Sequence, residues 1–131
     1  MLYTKCIFHE KEETDGTRIS ILSRHTLNDG KTTDPRITPS TFDEWIPHLA
    51  PPAKLIGDYY HRNLPWVEFE RRYLEHLSQP DIRSLVSTVA TRSLIRDITF
   101  LCVEETAQYC HRRLLAEECR KYEPRLIVEH R

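Results

Sequence analysis

Glycine is scarce in this sequence, with three in 131 residues. No GxGxxG, no Walker-type loop and no glycine-rich phosphate cradle can be built from them, so the common nucleotide fingerprints are excluded and any anion site must use other donors. Long apolar runs are missing too. Nothing approaches the roughly 20 residues that span a bilayer, and Met1 leads into the mixed segment LYTKCIFHE rather than the apolar stretch of a signal peptide. The expectation is a soluble, cytoplasmic chain with no membrane partner. An excess of either charge is absent: 19 basic against 20 acidic residues leave a net charge of -1. This excludes a broad electrostatic grip on nucleic acid but leaves room for a local basic patch. The four cysteines form no CxxC, and a chain of this size does not need disulfide staples, so reduced thiols are expected.

What is present reads as alternating elements within a length that suits one domain. Leu2 to Phe8 and Thr17 to Ser23 are rich in Ile, Leu, Tyr and Thr, and the polar turn His9 to Gly16 separates them. They either pair directly or flank one sheet. A long loop with Asn28-Asp29-Gly30 and Asp34-Pro35 follows up to Pro39, a length often associated with lids. Ser40 or Thr41 is positioned to cap a short helix through Trp45-Ile46, stopped by Pro47. Further helices are expected over Ala53 to Arg62, Pro65 to Leu77 and from Pro80-Asp81 to Ile95. Trp66, Phe69, Tyr73 and Leu77 make a stripe at helical spacing, as do Ile82, Leu85, Val86, Val89 and Ala90. Ile98 to Val103 is an almost unbroken apolar run, as in a strand buried on both faces. A helix from Thr106 to about Tyr122 and a strand at Leu126-Ile127-Val128 complete a strand-helix-strand unit, whose short connections imply parallel strands and a right-handed crossover. The fold class is α/β, one domain over residues 1–131 with a small, mainly parallel sheet and flanking helices.

The densest concentration of reactive side chains runs from Cys102 to Arg113. Ligands of parallel sheets collect beyond the carboxyl ends of the strands, where Cys102 and Glu104 stand. Cys110, His111 and Arg112 belong to the first turns of the next helix. That helix N-terminus, with Arg112 and Arg113, suits a phosphate or carboxylate, and the same field favours the thiolate of Cys110.

The segment LCVEETAQYCHRRLLAE resembles the C-terminal signature of the uncharacterised family known as domain of unknown function 488: Cys-x-Glu, five variable residues, then Cys-His-Arg. PWVEFERRYLEHL is similar to that family's Trp, Phe, Arg-Tyr helix through Trp66, Phe69, Arg72 and Tyr73, and Asp15-Gly16-Thr17-Arg18 resembles its DG-x-R entry to the second strand. At the end of that strand the family usually has an Asp close to an Arg; here the residues are Ser23-Arg24, so only Arg24 carries over. The resemblance implies a three-layer α/β domain with a polar pocket at the Cys-Glu/Cys-His-Arg end, and implies no reaction.

Three readings of these residues follow. In the first, the pocket takes an anionic small molecule or nucleotide: Arg24 and Arg112 clamp the anion, Glu104 is a general base or orienting carboxylate, Cys110 a nucleophile and His111 its catalytic neighbour, with Cys102, Arg72 and Tyr73 in support. In the second, the signature is a structural network in a non-catalytic interaction protein, Arg112 and Glu104 forming an ion pair that orients the strand-to-helix turn. The third is a metal or redox-sensing thiol site. No cofactor is called for, and metal is the minority reading, because adjacent residues on a helix point about 100° apart. Arg62, Arg71 and Arg72 read as a solvated face, His25 and His48 as surface residues, and Cys6 and Cys119 as packing.

Overall fold

The computed structural model describes residues 1–131. Its centre is a sheet of β1 (Leu2–Cys6), β2 (Thr17–Ser20), β3 (Glu44–Trp45), β4 (Ile98–Cys102) and β5 (Val128–His130). The strand order is β3-β2-β4-β1-β5 and every pairing is parallel. β1 and β2 therefore flank β4 rather than pairing with each other. Four helices flank the sheet: α1 (Ala53–His61), α2 (Trp66–Leu77), α3 (Pro80–Ile95) and α4 (His111–Tyr122). The fold is α/β, as the alternating pattern predicts.

Both central strands, β1 and β4, are buried at every residue. Residues paired in a parallel ladder share a face. Leu2 with Ile98 and Ile19 with Phe100 thus point the same way, into a core completed by Leu55, Phe69, Tyr73, Val86, Leu114 and Leu115 from all four helices. The opposite face is different in kind. It carries Tyr3, Lys5, Arg18 and Thr99, and lies under a 3-10 turn at Glu13–Asp15 and the chain around Thr41. The layer on that side is made of turn and loop, not helix.

Two expected elements differ. No helix forms over 40–46. Asp43 instead exchanges hydrogen bonds with the backbone of Arg18, and Glu44–Trp45 pairs with Ile19–Ser20 as the edge strand β3. The Trp45 indole donates to the Leu22 carbonyl at 2.6 Å and Glu44 pairs with Arg92 of α3, so sheet contacts outweigh the local capping potential of Ser40 and Thr41. The helix expected from Thr106 begins only at His111, with Cys110 as its extended cap residue. The cause is Arg112, whose Nη1 donates to the Glu104 carbonyl at 2.6 Å and draws residues 103–110 into a loop.

The long segment after β2 is pinned to the body. Thr26 bridges Thr33, Asp29 accepts from the Lys31 and Thr32 amides, and Asp34 and Ile37 are buried. His25 is half-buried rather than a surface residue: its ring lies against Phe42 and Trp45, and Nε2 meets the Ser20 hydroxyl at 2.8 Å. His48 is exposed.

Candidate functional site

Cys102 ends β4 and Cys110 caps α4, and the loop between them folds back so that both sulfurs approach the His111 ring. The ligand atoms of Cys102, Cys110 and His111 all lie within 4.8 Å of one another. Cys110 and His111 were expected to diverge as neighbours on a helix. They converge because Cys110 stands outside the helix in extended conformation. His111 Nε2 is 2.9 Å from the Ile21 carbonyl, which accepts only from a protonated nitrogen. Cys102 Sγ stands nearly equidistant from the two ring nitrogens, 3.6 Å from Nδ1 and 3.8 Å from Nε2.

The two thiols differ electrically. Burial opposes ionisation of Cys102, but the Cys110 thiol, the Glu104 and Val103 amides and the Arg112 charge together outweigh it and bring its pKa below the ordinary thiol value. Cys110 moves the other way: burial and the adjacent Cys102 hold its proton far more firmly than usual. The sequence pointed to Cys110 as the activated sulfur, and the surroundings give that character to Cys102. Cys119, alone in the core, is pushed up to about 12 by burial.

The remaining signature residues are tied to the scaffold. Arg112 is fully buried and donates to the Glu104 and Glu105 carbonyls and to Cys110 Sγ at 3.7 Å, leaving Nε without a protein partner. It meets Glu104 through the main chain, so the expected ion pair is not formed. The Glu104 carboxylate accepts the Tyr60 hydroxyl of α1 instead. Tyr73 is buried, donates to the Leu49 carbonyl at 2.6 Å, and turns its ring edge to His111 at 5.5 Å. Arg72 points away, pairing with Asp58 at 3.0 Å beside Lys54 and Arg62. Arg71 pairs with Glu68 and Glu75 at the surface. Arg24 is exposed, its guanidinium beside Gly30, whereas the Arg112 guanidinium is enclosed and engaged. The two arginines expected to clamp an anion do not form one clamp.

Two trios have donors spaced to hold a metal: Cys102, Cys110 and His111, and Cys6, His9 and Glu105. In the first, a guanidinium against the Cys110 sulfur opposes a second cation. In the second, Cys6 donates to the Val103 carbonyl and His9 already meets Glu105 at 3.0 Å.

A second concentration of charge, not singled out from the sequence, lies on the loop-covered face. Asp15 is fully buried and receives Lys5 at 3.2 Å, Arg18 at 2.6 Å and Arg131 at 3.0 Å. Burial raises the Asp15 pKa, but the Glu12 amide, Arg18 and Lys5 outweigh it and leave it below the usual carboxylate value. Lys5 also has Glu12 at 3.9 Å and Arg131 has Glu129 at 3.8 Å, so three cations share three carboxylates, of which only Asp15 is buried. Against this cluster opens a cleft of about 370 Å³ lined by Ile7, Phe8 and His9 beyond β1, with Lys11, Arg18, Arg36, Ser40 and Thr41. Arg18 commits Nε to the Thr41 carbonyl and Nη1 to Asp15, and Nη2 has no protein partner. Arg36 stacks over Phe8 at 4.0 Å and directs Nε and Nη2 to Asp34, leaving Nη1 free. Lys11 is exposed and without an ion pair. The only sequence signal for this face was the resemblance of Asp15-Gly16-Thr17-Arg18 to the DG-x-R entry.

Fold and side-chain clusters together define a small parallel α/β domain with polar networks at both sides of its strand ends. A family model described as the active DUF488-N3 subclade (DUF488-N3a) matches residues 2–123, and the chain belongs to that family. No curated protein and no solved structure matches the chain. No helix is long and apolar enough to cross a membrane.

Proposed function

We propose that this protein binds an anionic small molecule or nucleotide in the cleft beyond β1, with Arg18, Arg36 and Lys11 as its cationic wall. The observation that carries the reading is the buried Arg18 guanidinium, held rigid by Asp15 and Thr41 with Nη2 unpaired at the cleft. A guanidinium already ordered loses little entropy on binding and presents its donors in a fixed geometry suited to phosphate or carboxylate. The lining holds Lys11, Arg18 and Arg36 and no carboxylate, which gives the cleft a positive field, while the Ser40 and Thr41 hydroxyls offer neutral donors.

The anion thereby moves from Arg24 and Arg112 to Arg18 and Arg36, and Glu104 and Arg112 of the signature take a structural part. Supporting that part, Arg112 satisfies two carbonyls of the 103–110 loop and Glu104 ties the loop to α1. A thermal-shift series with nucleotides and sugar phosphates tests the proposal. A ligand at one hundred times its Kd contributes about 2.7 kcal/mol to the folded state, or several degrees in Tm for a chain of this size. Wild type and Arg24→Ala are expected to gain this shift, and the Lys11→Ala/Arg36→Ala double variant to lose most of it. Equal shifts in all three proteins, or none in wild type, contradict the cleft.

A further inference from the structure

We propose that Cys102 and Cys110 are a redox dithiol that exchanges with low-molecular-weight disulfides, Cys102 attacking first, Cys110 resolving and His111 carrying the proton between them. The proposal is independent of the anion cleft.

Three features of the geometry point to it. The two sulfurs are buried and within 4.8 Å of each other, and they stand on different elements joined by a loop without regular structure, whose exposed residues Val103, Glu105, Thr106, Gln108 and Tyr109 are what must move aside to admit a disulfide. Because Cys110 lies outside α4, its side chain can turn toward Cys102 without unwinding the helix. His111 is held by the Ile21 carbonyl through Nε2, and its ring nitrogens lie 3.6 and 3.8 Å from Cys102 Sγ with Cys110 Sγ also within 4.8 Å, so one imidazole is in reach of both thiols. The positive charge of Arg112 and the N-terminus of α4 stabilise whichever sulfur is anionic. The other two cysteines have no second thiol paired with an imidazole in this way: Cys119 faces the Val86 carbonyl, and Cys6 meets the Val103 carbonyl beside a His9 already engaged by Glu105.

Cys102 gives its proton to His111 and attacks one sulfur of RS–SR; that S–S bond breaks, a mixed disulfide Cys102–S–SR forms, and RS⁻ leaves with that proton. Cys110 then passes its own proton to His111 and attacks the Cys102 sulfur. The second RS⁻ departs with the proton from His111. The cysteines are oxidised by two electrons to a Cys102–Cys110 disulfide and RS–SR is reduced to two RSH.

Intact-mass measurement of the folded protein with oxidised glutathione tests this. Wild type is expected to lose two hydrogens without retaining glutathione, and peptide mapping to find a Cys102–Cys110 bridge. Cys110→Ser is expected to stop at one glutathione on Cys102, and Cys102→Ser to leave Cys110 unmodified. His111→Gln should slow the wild-type reaction by roughly tenfold or more, while Cys6→Ser and Cys119→Ser react as wild type. Folded wild type that stays reduced, a bridge involving Cys6, or glutathione retained on Cys110 would overturn the proposal. The wild-type result decides even if a variant fails to fold.

Discussion

Asp15 is the residue on which the loop-covered face depends. Its carboxylate accepts from the side chains of both Lys5 and Arg18, which are nearly inaccessible to solvent. Breaking a buried charge network by removing one partner typically costs about 3–5 kcal/mol, and Asp15→Asn should lose that much in urea denaturation at neutral pH. The pH dependence has a definite sign. The folded-state pKa of Asp15 lies below its unfolded value, so the contribution is complete above the unfolded value near 4 and disappears as pH falls through the lower folded one. The difference in unfolding free energy between wild type and Asp15→Asn should therefore be largest near neutrality and narrow below pH 4. A difference independent of pH would show that Asp15 acts through packing alone. Beyond the resemblance of Asp15-Gly16-Thr17-Arg18 to the DG-x-R entry, the charge network was not legible in the sequence, where Lys5 sits in an ordinary β pattern and Asp15-Gly16 reads as a turn. Burial of a lysine and an arginine becomes visible only once β1, β2 and the 3-10 turn meet.

At the scale of elements, stripes and runs carried the most information. The apolar run of β4, the Phe69, Tyr73, Leu77 face of α2 and the face of α3 all have the structure their spacing predicts. Hydrophobic periodicity reports burial directly, which is why it survives tertiary folding. Helix starts failed: the capping potential of Ser40 or Thr41 gives way to the β2–β3 pairing, and the helix expected from Thr106 gives way to the Arg112–carbonyl bonds that hold the segment before His111 as a loop. The misplaced start of α4 also hid the convergence of Cys102, Cys110 and His111, since a residue on a helix and a residue capping it point in different directions. The turn into β2 offers a test of element docking. Gly16 has φ +64°, and a Cβ there would lie 2.1 Å from the Asp97 carbonyl oxygen at the start of β4. Strained backbone of this kind costs on the order of 1–3 kcal/mol before the clash is added, so Gly16→Ala should lower the unfolding free energy by at least that much and move the urea midpoint down with it. An unchanged midpoint would mean that the turn is not packed against β4.

For the whole molecule, near-neutral net charge conceals a division. The helix-covered face is a conventional apolar core, while the loop-covered face gathers Lys5, Arg18 and Arg131 around one buried carboxylate and opens onto Lys11 and Arg36. Scarcity of glycine excluded a backbone phosphate cradle, and the positive field is assembled instead from side chains on a sheet face. The expected pocket was at the Cys-Glu/Cys-His-Arg end because reactive residue types are densest there, but density along the chain is not density in space. Titration of isotope-labelled protein with inorganic pyrophosphate at low ionic strength, followed by amide and arginine Nε–H chemical shifts, distinguishes the two locations. Saturable shifts at Ile7 to Lys11, Arg36, Ser40, Thr41 and the Arg18 side chain, weakened by added salt, are the expected result. No saturable shift, or shifts confined to Arg24 and Cys110 to Arg113, would contradict the account.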